Sequence, residues 1–166
     1  YTKIEGFAFL PITSFMMALT TFVSQNRGAK EYERARKGAH FGLVCSVSLA
    51  ETIGLLIALF ATPLMRLFVD DPQVIQYGVE RAHYATILFF LLAYSHGVSA
   101  VLRGVGKSVV PMVVMLVCWC LVRVTLLTML NMLFHNILFV YLIYPFTWSL
   151  SSIVFFLYYR KINWQE

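Results

Sequence analysis

ALTTFVSQNRGAKEYERARKG, residues 18–38, sets the frame for the whole chain, because an apolar segment runs without a linker into a basic, helix-prone one. Residues 4–23 are largely apolar, and at about 1.5 Å of rise per residue they reach roughly 30 Å, enough to cross a hydrocarbon core as a helix. Beyond Val23 the chain turns abruptly polar: residues 24–40 hold the cations Arg27, Lys30, Arg34, Arg36 and Lys37 against the acids Glu31 and Glu33. Gly28 is the expected break between helices. Glu31, Ala35 and the cations around them read as a short helix lying in the membrane interface, its basic side towards anionic headgroups.

The composition fits a bilayer rather than water. Of 166 residues 60% are hydrophobic, 16% aromatic and only 13% charged, outside the range of a soluble globular domain. The apolar runs show little periodicity and are long enough to be spans. Four more come after the first, at about 41–68, 76–102, 109–132 and 137–159. The third starts amphipathic and becomes apolar from Ala82. Asp70-Asp71-Pro72 is a turn and helix-start signal, Arg103-Gly104-Val105-Gly106-Lys107 is a tight positive turn, and His135-Asn136 barely separates the last two helices. The expectation is an all-α integral membrane bundle of about five transmembrane helices, a single membrane domain over residues 1–166.

The cations orient it. Arg27, Lys30, Arg34, Arg36, Lys37, Arg103, Lys107, Arg160 and Lys161 fall at one end of the predicted bundle, and only Lys3, Arg66 and Arg81 at the other. The positive-inside rule then puts the basic loop 24–40 and the C terminus in the cytoplasm of a multi-pass protein of the cell membrane. The net charge of +5 is a topology signal, with the lipid bilayer and not nucleic acid as the partner. There is no initiator Met and no signal peptide, and the chain opens just before a complete span, so it reads as a C-terminal fragment of something longer. Cys45, Cys118 and Cys120 all lie inside spans as small soft hydrophobes, with Cys118 and Cys120 on different helix faces.

Ionisable groups within spans are costly and mark candidate sites. Glu51 lies ten residues into the second span, about 15 Å deep, where a carboxylate could exchange a proton or hold sodium, or could be a structural group hydrogen-bonded to polar neighbours. It is the ion-coupling candidate. Arg123, in the outer half of the fourth span, fits structural pairing, snorkelling, or a substrate contact. His96, beside Ser95, Gly97 and Ser99, fits a helix-packing hydrogen bond or a proton relay. Glu5 either lines an outward-facing cavity or sits in the interface. Pro11 and Pro145 can kink their spans. Phe89, Phe90, Tyr94, Tyr141, Tyr144, Phe146 and Trp148 face lipid, core or a flat apolar cation. The histidines His40, His83, His96 and His135 are scattered, which gives no catalytic or metal constellation.

Two stretches together carry a family resemblance: ALTTFVSQNRGA (18–29), preceded by Pro11 and followed by the spaced Lys30, Glu31, Arg34, Ala35 and Lys37, and VLRGVGKSVVP (101–111) two helices later. They resemble the C-terminal lobe of the multidrug and toxic compound extrusion (MATE) family. The resemblance covers about residues 4–159. It implies that the five spans are the eighth to twelfth helices of a twelve-helix transporter, most of its C-terminal six-helix lobe, working with an N-terminal lobe of the same chain. It implies a cation-coupled antiporter, sodium or proton being the coupling ion with no other cofactor, that exports cationic or amphipathic small molecules by alternating access and is not an enzyme. Several members of the family are thought to bind the ion through acidic residues. The counterpart here of the tenth helix has no carboxylate beyond Glu80 near its external end. A lipid-linked precursor flippase of the same superfamily is the alternative, which would want a cationic cavity that only Arg123 is deep enough to serve. A non-transporting membrane scaffold is the other.

Overall fold

The computed structural model describes residues 2–134 and 137–164. These residues form α1 (Thr2–Gly28), α2 (Tyr32–Leu59), α3 (Ala61–Arg66), α4 (Pro72–Thr86), α5 (Phe89–Gly104), α6 (Val109–Met115), a π-helical segment (Leu116–Val122), α7 (Arg123–Phe134) and α8 (Ile137–Arg160). Among the described residues, four helices are long and apolar enough to cross a membrane: Lys3–Gly28, Tyr32–Leu59, Val109–Leu130 and Val140–Arg160. Pro72–Thr86 and Phe89–Gly104, bent by 56° at their junction, qualify together as a fifth span. The all-α membrane bundle is therefore as expected. The His135-Asn136 connection lies outside the described residues.

The first turn departs from expectation. α1 runs to Gly28, and the chain reverses at Lys30, whose φ is 62°. Lys30 N–H donates to the Arg27 carbonyl and Glu31 N–H to the Asn26 carbonyl, both at 2.9 Å, the Schellman pattern that closes a helix. The same pattern ends α5, where Gly106 (φ 86°) donates to Arg103 and Lys107 to Leu102. Gly106 is the residue type this backbone favours, whereas Lys30 adopts it with a side chain. The short interfacial helix is not formed. Residues 32–40 are the first turns of α2 and run straight into the second span, because Ala35, Ala39, Gly42, Leu43 and Ser46 form one buried stripe at helical spacing.

The second span ends earlier than the apolar run suggests. Pro63 offers no N–H to the Leu59 carbonyl, and α2 breaks at Phe60 (φ −103°, ψ 20°) before the short α3. Asp71 then caps α4 as the sequence indicates, its Oδ1 accepting from Gln73 N–H at 2.8 Å with Pro72 in the first turn.

α5 is the centre of the bundle. It packs against α1, α2, α6 and α8, and Leu92, Ala93, Ser95, Gly97, Val98, Ser99, Ala100, Val101, Leu102 and Gly104 are all buried. Small residues let the helices close up. A Cβ on Gly104 would stand 2.8 Å from Val23 Cβ and 2.9 Å from the Thr20 carbonyl oxygen. Thr20 Oγ1 donates to the Ala100 carbonyl at 3.1 Å, and the Arg27 guanidinium donates to the Val105 carbonyl. The two stretches 18–29 and 101–111 are thus packed against each other at the basic end of the bundle.

Candidate functional site

The third span bends where α2 holds it. Glu51 Oε2 accepts the Phe90 N–H at 3.1 Å, one of the free donors in the first turn of α5. One turn further along α2, Gly54 lies so close to the break that a Cβ would come within 2.8 Å of the Thr86 carbonyl oxygen. Thr86 Oγ1 donates back to the Ala82 carbonyl at 2.7 Å, a local bond that favours bending. Glu51 is half-buried and stands at the positive end of the α5 dipole. Its carboxylate is therefore bonded to backbone at a helix break, and it is not part of the cluster that the other candidates form.

That cluster lies between α1, α4, the π segment, α7 and α8. Glu5 pairs with Arg81 at 3.7 Å, both about three-quarters buried. The Arg81 guanidinium lies 5.0 Å from the Tyr144 ring centre, and Arg123 lies 4.7 Å from the same ring. Arg123 also sits 5.2 Å from the Trp119 ring and donates to Thr147 Oγ1 through Nη2 (2.7 Å) and Nε (3.1 Å). A desolvated guanidinium on an aromatic face is worth about 2 kcal/mol. Arg123 therefore points inward, held by two rings and a hydroxyl, rather than snorkelling outward.

Trp119 carries the file deeper. Its ring meets His96 edge-on at 5.0 Å, and Phe9 meets His96 from the other side at 5.0 Å. Trp119 Nε1 donates to Ser151 Oγ at 3.2 Å, and Ser95 Oγ lies 2.9 Å from both Ser151 Oγ and Ser152 Oγ. Ser151 and Ser152 also reach the Trp148 and Leu91 carbonyls, so four protons serve five contacts across three elements. Among the described residues, His96 Nε2 and Ser99 Oγ have no hydrogen-bond partner.

Of the four residues singled out from sequence, Glu5, Arg123 and His96 belong to one connected file. Arg81, Trp119, Thr147 and the serines complete it and were not singled out as site groups, whereas Tyr144 is among the aromatics named from sequence as facing lipid, core or a flat apolar cation. The available signal was periodicity: Glu5, Phe9, Ile12 and Met16 share a face of α1, and Tyr144, Thr147 and Ser151 share one of α8. His96 also faces a groove of about 480 Å³ along α1, lined by Thr13, Met16, Met17, Thr20, Thr21 and Arg103 among others. The π segment immediately precedes Arg123 and widens the helix where Trp119 turns inward, the kind of irregularity found at functional sites.

Membrane-length helices around a buried file of charged and aromatic groups define a polytopic membrane protein. The chain belongs to the MatE family, whose model matches residues 1–129. It is similar to a "Probable multidrug resistance protein NorM" of Thermotoga maritima, 30% identical over 112 residues, which cover 68% of this chain and 24% of that protein. A protein of the same name from Chromobacterium violaceum is 29% identical over 101 residues, 61% of this chain and 22% of the relative. A "FAD transporter" of Shewanella oneidensis is 29% identical over 76 residues, 46% of this chain and 17% of the relative. The chain spans about a quarter or less of the length of these curated relatives. The family match contains Glu5, Glu51, Arg81, His96, Trp119 and Arg123 and ends before α8.

Proposed function

We propose that this chain is part of a cation-coupled antiporter that exports cationic or amphipathic small molecules by alternating access, with its basic end in the cytoplasm and Glu51 as the coupling carboxylate. The observation that carries the reading is the 3.1 Å bond from Phe90 N–H to Glu51 at the 56° break of the third span. A carboxylate there favours the half-helix end through charge and dipole. Protonation, or a sodium ion taking up its lone pairs, weakens that bond, and a bend held by one cap then changes its equilibrium. Glu5, Arg81 and Arg123 supply a second charged layer that ties the first turn of α1, the second half of α4 and the start of α7 together in one of the two states.

Substrate chemistry is read from the α1 groove. Met16 and Met17 offer soft, adaptable surface, and Thr13, Thr20 and Thr21 offer hydroxyls, a combination suited to varied amphipathic guests. A second reading, export of an anionic dinucleotide, is favoured by Arg103 in the same groove and by the likeness to the FAD transporter. The full-length protein in proteoliposomes separates these. Ethidium efflux under an imposed sodium or proton gradient is the expected result; export of flavin dinucleotide with no movement of ethidium would replace the first reading by the second. Movement of neither under either gradient would remove both.

A further inference from the structure

At the basic end, the start of α2 and the end of α8 enclose a cavity of about 980 Å³ whose walls change character along its depth. Lys37, His40, Phe41 and Val44 line it from α2 at i, i+3, i+4 and i+7, one helical stripe that descends about 10 Å. Its upper part is charged. Arg36 and Lys37 stand on one side and Arg160 on the other, with Glu33 the one acid among the described lining groups, already paired to Lys37 at 2.8 Å. Its lower part is apolar and open: Phe41 is 71% and Val44 53% exposed. Trp164 closes the rim, packed edge-on to Tyr159 at 6.3 Å, the amphipathic ring placement found at membrane interfaces.

From this gradient we infer a binding site for one anionic phospholipid. The phosphate is recognised by Arg36 and Arg160 from two different helices, and an acyl chain lies along Phe41 and Val44. Charge complementarity and depth both select this occupant: a soluble anion would have no use for exposed phenylalanine and valine below the cations, and a zwitterionic lipid would gain little from two guanidiniums. A lipid held here bridges the first turns of α2 to the last turn of α8. The inference does not depend on what the protein transports.

The test is native mass spectrometry of the detergent-purified full-length protein, titrated with dioleoyl phosphatidylglycerol and with dioleoyl phosphatidylcholine. The wild type is expected to retain one phosphatidylglycerol more tightly than phosphatidylcholine. Arg36→Gln with Arg160→Gln should weaken phosphatidylglycerol by about tenfold or more, since each cation near the headgroup layer contributes about one kcal/mol, converted at 1.4 kcal/mol per decade. Lys30→Gln with Lys107→Gln removes the same charge from the same end outside the cavity and should change binding less than about twofold. Arg160→Gln alone, on an intact helix, should give a smaller loss in the same direction, so the result does not hang on how the double variant folds. Equal losses in the groove and control variants, or equal retention of the two lipids, would overturn the site.

Discussion

Glu51→Gln is expected to lower ion-driven efflux by about tenfold or more while leaving the protein folded, taking a coupling free energy of about 1–3 kcal/mol as the size of the effect. The amide oxygen of Gln can still accept the Phe90 N–H that Glu51 Oε2 accepts at 3.1 Å. What it lacks is the charge that responds to a proton or sodium ion. Thermal stability in detergent should therefore change by less than about 1 kcal/mol, a hydrogen bond having been kept and a partial charge–dipole interaction lost. Glu31→Gln, on the exposed turn between α1 and α2, is the matched control and should leave efflux unchanged. The readout is the initial rate of ethidium efflux by the full-length protein in proteoliposomes, with proton and sodium gradients imposed separately. Unchanged efflux in Glu51→Gln under the gradient that drives the wild type would remove Glu51 from coupling and leave it a structural cap.

The second large effect concerns the packing of α1 on α5. Gly104→Val should destabilise the protein by about 3 kcal/mol or more, at or beyond the upper end of core overpacking. Even the first carbon added at Gly104 would meet Val23 Cβ at 2.8 Å and the Thr20 carbonyl oxygen at 2.9 Å. Neither neighbour can give way easily, because Val23 is fully buried and Thr20 is tied to the Ala100 carbonyl. Gly28→Ala and Gly6→Ala set the scale from the other side. Both glycines are helical and have nothing within 4 Å of an added Cβ, so alanine there should be neutral or stabilising by up to about 1 kcal/mol. Fluorescence-detected size-exclusion after a heating series measures all three, and a Gly104→Val protein as heat-resistant as the wild type would contradict this packing.

The fold was largely readable because the bilayer writes it in lengths of apolar sequence. Five runs of membrane length, the first four separated by charged or Pro-containing turns and the last two by His135-Asn136, correspond to four long helices and one bent pair. The misreadings are places where tertiary contact overrides a local signal. Gly28 looks like a helix end, yet the reversal sits at Lys30, since the carbonyls of Asn26 and Arg27 are closed one turn later. The basic segment looks interfacial because its cations dominate, but Ala35 and Ala39 are fully buried and tie it into α2. The third span looks continuous because no proline interrupts it. Its break is held by Glu51 and Gly54 from another helix, and its contribution from within, Thr86 Oγ1 bonding back to the Ala82 carbonyl, is a bond that serines and threonines make in straight helices too.

The site was legible one residue at a time and not as a constellation. Cost in a membrane picks out Glu5, Glu51 and Arg123, but their partners are ordinary types: an arginine in the amphipathic second half of α4, a tryptophan and a tyrosine in apolar runs, a threonine and serines that pass for packing residues. Which of them meet depends on helix rotation, and here that includes a π-helical stretch over Leu116–Val122 that shifts the register on its far side.

In the proposed mechanism the charge state of Glu51 sets the bend of the third span. Spin labels at Gln73 at the start of α4 and Lys107 beyond α5, in a full-length protein with Cys45, Cys118 and Cys120 replaced by serine or alanine, report that bend by electron–electron distance. Two arms of fifteen and sixteen residues at about 1.5 Å per residue lengthen by roughly 5 Å on straightening from 56°. A shift of up to that size is expected in the wild type between pH 8 and pH 5, or on removing sodium, and one fixed distance in Glu51→Gln. The same distance under every condition in the wild type, or an equal shift in Glu51→Gln, would contradict this role for Glu51.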